Sequence, residues 1–229
     1  SLKGERAISY NLSADYYAKK YQFSINIFRT NLKDKIQFSP ADDEVKKFGY
    51  SYQWENVDDA YVQGVELGAK ANLFRNFNAG INWTFNQGKF KHERADWSDP
   101  NDETVKEFPQ RLQYAKDSRN ISRFPAMTGD IDLDYTPGTW TFSLTSSLQG
   151  RMFIDYNSED DGATSKIKKT NTFMIFNCRA AKRFGTCTVY AGAKNIFSYI
   201  QDEKHTDDAA FMYAPVYGAT WYVGLSVKL

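Results

Sequence analysis

The last nine residues, Trp221-Tyr222-Val223-Gly224-Leu225-Ser226-Val227-Lys228-Leu229, alternate between two kinds of side chain. Successive side chains of a β-strand point to opposite faces. Trp221, Val223, Leu225, Val227 and Leu229 therefore share one face, and Tyr222, Gly224, Ser226 and Lys228 the other. A tilted strand needs roughly 9–11 residues to cross a bilayer, and this stretch meets that length. It stops on a bare apolar residue. An edge strand in water that ended this way would invite pairing with other chains, whereas a strand facing lipid would not. A half-buried strand of a soluble β-sandwich is the competing reading, and this stretch alone leaves the two level.

The same period runs through the chain. Ile8, Tyr10, Leu12, Ala14 and Tyr16 form one apolar row, and Tyr21, Phe23, Ile25 and Ile27 the next, across a short Lys19-Lys20 turn. Val65 to Ala71 and Phe77 to Phe85 make a second hairpin around Phe74-Arg75-Asn76. The third is the cleanest. Gly129, Ile131, Leu133 and Tyr135 precede Thr136-Pro137-Gly138, a strong turn signal, and Trp140, Phe142, Leu144, Ser146 and Leu148 follow it. Met174, Phe176, Cys178 and Ala180 form the next row, although the opposite phase, with Phe173 and Ile175 outward, fits nearly as well. Cys187, Val189, Ala191 and Ala193 lead to the terminal strand. Long polar stretches at 33–59, 88–124, 155–169 and 198–217 separate the hairpins.

About nine strands are thus joined alternately by tight turns and long polar loops, the habit of outer-membrane barrels. Aromatic residues gather at the strand ends, where amphipathic rings favour a membrane–water interface. Mean hydropathy of −0.61 does not argue against this, because only every other residue of a barrel strand needs to be apolar. The net charge of +1 offers nothing to nucleic acid. Cys178 and Cys187 share a face and could be cross-strand neighbours, with two free thiols the simpler reading. Residues 1–5 do not resemble a signal peptide. If the tight turns are periplasmic, the first and last strands run the same way. An autonomous barrel has an even strand number, so residues 1–229 are expected to be the C-terminal portion of a larger barrel.

Four segments resemble TonB-dependent outer-membrane receptors. Leu2-Lys3-Gly4-Glu5-Arg6 is similar to their LKPE(R/S) opening, Tyr61-Val62-Gln63-Gly64-Val65-Glu66-Leu67 to their Gly-x-Glu strand, and Lys194-Asn195-Ile196-Phe197 to their NLF motif. Tyr213-Ala214-Pro215 with Gly218 to Leu225 resembles their closing P-x-x-G-R-x-x-x-x-G-L segment. Ala219 stands where arginine is usual, and Leu229 where an aromatic residue usually ends the barrel. The segments run in the family's order, with a flavour nearest that of Bacteroidetes receptors. The resemblance implies an all-β antiparallel barrel of roughly 22 strands around a plug. It implies import of a scarce siderophore, haem, cobalamin or glycan across a Gram-negative outer membrane. The implied partners are outer-membrane lipid, a TonB complex acting through a plug that is not in this sequence, and, where one exists, a surface lipoprotein. A passive porin or adhesin barrel is the alternative, and a soluble aromatic-rich sandwich the third reading.

No nucleophile–base pair, metal cluster or phosphate loop stands out, so an enzyme is not expected, nor a cofactor. Thr128, Asp130, Asp132, Asp134, Thr141, Ser143 and Thr145 form polar rows expected to face the lumen and the plug. Ile131, Leu133, Phe142, Leu144, Val223, Leu225, Val227 and Leu229 are expected to face lipid, where a carboxylate would be costly. The loop aromatics Trp97, Tyr156, Phe211 and Tyr213 could stack on a ligand or pack the loops on one another. His92 and His205 could serve haem, but read better as solvated loop residues. Asp155, Glu159, Asp160 and Asp161 do not match a calcium-loop spacing.

Overall fold

The computed structural model describes residues 2–154, 168–201 and 213–228. Their main feature is one antiparallel sheet of nine strands, each hydrogen-bonded to its neighbours in chain order. In sequence the strands are β1 (Arg6–Tyr17), β2 (Tyr21–Pro40), β3 (Tyr52–Phe74), β4 (Phe77–Phe90), β5 (Met127–Tyr135), β6 (Trp140–Gln149), β7 (Phe153–Ile154), β8 (Lys168–Lys169), β9 (Phe173–Phe184), β10 (Cys187–Lys194) and β11 (Thr220–Val227). The short β7 and β8 pair only with each other, so β6 lies directly against β9. Within these residues the sheet is open, with β1 and β11 as its edges. Tight turns join β1 to β2, β3 to β4, β5 to β6 and β9 to β10, and all of them fall at one end of the sheet.

The register keeps like with like. Ile25 lies opposite Leu67, Leu67 opposite Trp83, Ile81 opposite Ile131, and Leu133 opposite Leu144. Leu144 in turn faces Cys178, and Ala191 faces Val223. One-residue slippage anywhere would move a whole strand's apolar set to the other face. The same register settles the ambiguous strand. Met174, Phe176, Cys178 and Ala180 share rungs with Leu148, Ser146, Leu144 and Phe142. Phe173 and Ile175 point the other way and join Met152, Tyr199, Tyr213 and Ala214 in a small core near the long connections. Cys178 faces Ala193 and Cys187 faces Phe184, so the two are not cross-strand neighbours and both are free thiols.

The apolar face is uncovered. Phe23, Ile25 and Ile27 are 49%, 39% and 48% exposed, whereas Gln22, Ser24 and Asn26 between them are half-buried. A soluble sandwich needs a second sheet over its apolar rows, and none of the described residues supplies one. At the tight-turn end this face carries a ladder of rings. Phe74 stacks on Phe77 at 4.7 Å, Phe77 reaches Tyr135 at 6.3 Å, Tyr135 reaches Phe142 at 6.5 Å, and Phe142 stacks on Trp140 at 5.6 Å. The Lys182 ammonium lies 4.8 Å from the Trp140 ring centre. Rings one rung apart on a face touch in this way, each adding a little beyond its area.

Two long connections differ from expectation. Most of 33–59 is strand, because β2 and β3 continue as a hairpin and leave only 41–51 as a loop with one helical turn, α1 (Asp43–Lys46). A register shift between Leu32 and Ile36, with Asp34 at φ 54°, breaks the alternation and hides the extension from a pattern search. The Glu5 carboxylate accepts the Ile36 N–H at 2.9 Å, and Asn56 exchanges hydrogen bonds with the Lys3 backbone. The LKGER opening thus joins Asn56 and Asp59 of β3 in satisfying the irregular stretch. The 88–124 stretch folds into α2 (Ala95–Ser98), α3 (Glu103–Glu107) and a 3-10 segment (Pro109–Arg119).

Candidate functional site

Two surfaces gather polar chemistry, the polar face of the sheet and the folded loops at the end opposite the tight turns. On the polar face Asp130, Asp132 and Asp134 face Ser147, Thr145 and Ser143 across β6, and Asn82, Gly80 and Asn78 across β4. Asn82 donates to Asp130 at 2.7 Å, and Ser143 donates to Asp134 at 2.5 Å. Lys70 and Asp132 flank Gly80 on one rung. Thr128 faces Thr84 and Gln149 in the same row, and Thr141 faces Ala181. Further along, Ser13 donates to Asn26, which donates to Glu66 at 2.9 Å, so the Gly64-Val65-Glu66 motif puts its carboxylate on this wall.

At the far edge Gly192 lies opposite Tyr222 and Gly224 opposite Tyr190. A Cβ at either glycine would run into the facing ring, so both rings lie down over glycine backbone. The Arg179 guanidinium sits 4.6 Å from the Tyr190 ring centre. This ties the last three strands of the polar face together.

The loop 91–126 has its own interior. Arg111 is 4% exposed, with its guanidinium 4.7 Å from the Trp97 ring centre and 5.5 Å from that of Phe108. Asp96 anchors it at 3.4 Å and also takes two hydrogen bonds from Arg94, at 3.0 and 2.8 Å. Val105 and Ala115 complete the packing. Trp97 is 3% exposed and Tyr213 is 7% exposed, so both rings are committed to holding loops together in this structure. Gln201 accepts the backbone N–H groups of Tyr213 and Ala214 at 2.8 and 3.0 Å. Tyr156, Phe211, His205 and Leu229, with the acidic run Asp155 to Gly162, lie outside the described residues.

Asn195, from the NLF-like motif, is a clamp that sequence reasoning found only as a pattern. It is buried at φ 51°, a conformation asparagine tolerates. Its amide donates to Tyr199 O at 2.7 Å and Tyr217 O at 3.1 Å, and its carbonyl oxygen accepts Tyr199 N–H at 2.9 Å. It closes the base of the last long connection. Asn195→Ala should loosen that base by about 1–3 kcal/mol, since buried groups lose their partners. Faster amide exchange at Tyr199, with β1 to β6 unchanged, is the expected readout.

Between the β2–β3 extension and this loop lies a cavity of about 860 Å³, lined by residues that include Lys35, Glu55, Asp58, His92, Arg94 and Ser118. His92 is held by Asp58, ring nitrogen to carboxylate at 3.0 Å and backbone N–H to carboxylate at 2.7 Å. Partial burial pushes the Asp58 carboxyl up, but the bonds from the His92 backbone and ring and from Asp59 N–H outweigh it and leave it below the ordinary value of 3.8. A depressed carboxylate gives stability that is full above its unfolded value and is lost as pH falls through the folded one. The protection factor of the His92 amide, with the intrinsic pH dependence of exchange divided out, should therefore not be lost through Asp58 until the pH falls below about 4, near the reference aspartate range.

The chain matches the family model described as "TonB dependent receptor-like, beta-barrel" over residues 1–196. Solved structures share its fold, three of them as follows. The copper transporter OprC superposes with a TM-score of 0.65 at 21% identity, over 98% of this chain and 32% of that one. The FrpB iron transporter from Neisseria meningitidis gives 0.66 at 15% identity, over 98% and 31%. The ferric enterobactin receptor PfeA gives 0.66 at 20% identity, over 99% and 32%. The chain spans about a third of the length of each, 31–32%.

Proposed function

Because the chain belongs to the TonB-dependent receptor β-barrel family, a family of transporters and receptors, we propose that it forms part of the wall and mouth of an outer-membrane importer driven by TonB. The observation that carries the reading is the open apolar face, on which Phe23, Ile25, Ile81, Phe85, Trp221, Val223 and Leu225 stand exposed with no second sheet over them among the described residues. In this reading Ile131, Leu133, Phe142, Leu144, Val223, Leu225 and Val227 meet lipid, and the ring ladder marks the inner interface. Thr128, Asp130, Asp132, Asp134, Thr141, Ser143 and Thr145 line the lumen, where the aspartates hold a plug rather than the cargo. A barrel of this family also needs a plug and further wall strands, in keeping with this chain spanning 31–32% of the length of the structures it resembles.

The folded loops form part of the outer mouth, and the cargo is a scarce ligand of the siderophore, haem, cobalamin or glycan kind. OprC, FrpB and PfeA are named for copper, iron and ferric enterobactin, which supports a metal or metal-chelate cargo among these. The polar cavity beside His92 is the part of this mouth best shaped to receive one. The experiment is deletion of 92–122 from the complete receptor. Ligand affinity on purified protein should fall while barrel assembly is kept. Replacing Asp130, Asp132 and Asp134 together by asparagine should alter uptake more than initial binding. Unchanged affinity after the loop deletion would remove the mouth assignment.

A further inference from the structure

The outer row of β1 to β4 changes chemistry abruptly one rung beyond Ile27. Ile27, Val65 and Phe85 form one rung, and Arg29, Gln63 and Gln87 form the next. The two rungs line a single groove of about 720 Å³, with Tyr10 and Leu12 of β1 at its side. Arg29 is set in place rather than free to wander. It donates to Gln63 at 2.7 Å and to Asn31 at 3.0 Å, and its guanidinium lies 4.5 Å from the Tyr61 ring centre. Gln63 passes a further hydrogen bond to Gln87 at 3.0 Å. A guanidinium has five N–H donors, and these two bonds use two of them.

The next rungs add cations. Lys33 faces Arg6, and Lys89 faces Tyr61. Among the described residues none of Arg6, Arg29, Lys33 and Lys89 forms an ion pair, whereas neighbouring Lys91 is paired with Asp59 at 3.8 Å. Higher still, Phe38 stacks on Tyr52 and meets Trp54, both at 5.1 Å, and all three are more than half exposed. Gln37 and Glu55 of this hairpin line the inner cavity, so Phe38 and Trp54, one residue on, face outward. Phe38 is nine residues beyond Arg29, about 30 Å along a strand.

Acyl-compatible surface, unpaired cations and a platform of flat rings thus follow one another outward on one face. We propose that this face, from the Ile27–Val65–Phe85 rung through Arg29 to the Phe38–Tyr52–Trp54 platform, seats a phosphorylated glycolipid of the outer leaflet. Its acyl chains lie on the apolar rung, a phosphate takes the remaining donors of Arg29 with Lys33 and Lys89 nearby, and its sugars lie against the rings. Charge-assisted bonds to phosphate and ring stacking on sugar faces are the interactions such a ligand offers. The inference rests on the apolar face being the lipid face.

The test uses the complete receptor in nanodiscs of zwitterionic lipid, titrated with purified lipopolysaccharide, dephosphorylated lipopolysaccharide or phosphatidylglycerol. Retained lipid is counted by native mass spectrometry. The intact form should bind best. Arg29→Gln should weaken it about ten-fold, as expected for loss of a charge-assisted contact. Trp54→Ala should weaken intact lipopolysaccharide but leave phosphatidylglycerol unchanged. Equal retention by Arg29→Gln and the parent overturns the phosphate site, and a preference for phosphatidylglycerol overturns the glycolipid. Ile25→Cys, placed in a background in which Cys178 and Cys187 are replaced by alanine and tested with a water-soluble maleimide, reports the face independently. Shielding of that cysteine together with equal lipid retention would sink the glycolipid site while leaving the barrel reading intact.

Discussion

Arginine at Leu144 is expected to destabilise the complete barrel in a bilayer by about 2–4 kcal/mol, and arginine at Thr145, one residue along, by far less. Leu144 sits on a rung with Leu133 and Cys178, in the middle of the uncovered apolar face. A guanidinium there must either lose its hydration or deform the lipid around it. Thr145 lies between Asp132 and Asn177, and Asn177 already donates to its hydroxyl at 3.3 Å. An arginine at 145 would meet water and a carboxylate. Reversible unfolding in lipid vesicles measures both variants. Equal tolerance would mean that the faces are assigned the wrong way round.

The second large effect is expected at Arg111, a buried cation that packs the loop more than it charges it. Arg111→Ala removes the group between Trp97, Phe108 and Asp96 and should cost the loop about 2–4 kcal/mol, within the range for opening a core and unpairing a buried charge. Asp96 keeps Arg94, which limits the loss. Arg111→Lys should restore little, because an ammonium cannot reproduce a planar group lying on an indole. The expected signature is rapid amide exchange confined to 94–120, with the sheet unaffected and ligand affinity reduced. Exchange left at the parent rate would show that the loop does not depend on this buried cation.

Much of the sheet was legible because a strand with two different environments writes them into alternate positions. Rows such as Ile131–Leu133 and Trp140–Leu148 could be phased before any coordinates, and the register pairs them as expected. The reading failed where a backbone irregularity interrupts the period. Beyond Asp34 the two-residue repeat shifts phase, so Ile36, Phe38, Tyr52 and Trp54 looked like loop when they belong to long strands. The 88–124 stretch hid its fold for another reason. Its two α-helices are only four or five residues long, its longer helix is a 3-10 segment without the α-helical period, and its core is made of scattered residues such as Trp97, Val105 and Arg111. Whether a loop aromatic is free for a ligand or committed to packing depends on such contacts, and composition does not encode them. Asn195 and Glu5 were visible as motif letters, but their roles as a clamp and as a partner for the Ile36 amide needed the backbone around them.

The proposal of energised import is tested most directly by uptake of the identified ligand in cells that carry the complete receptor, with and without a functional TonB system. Binding at the cell surface should be the same in both, because the mouth is built from loops that need no energy to hold their shape. Uptake should fall to background without TonB. Uptake that continues at the same rate in both strains would contradict the account and identify a passive pore.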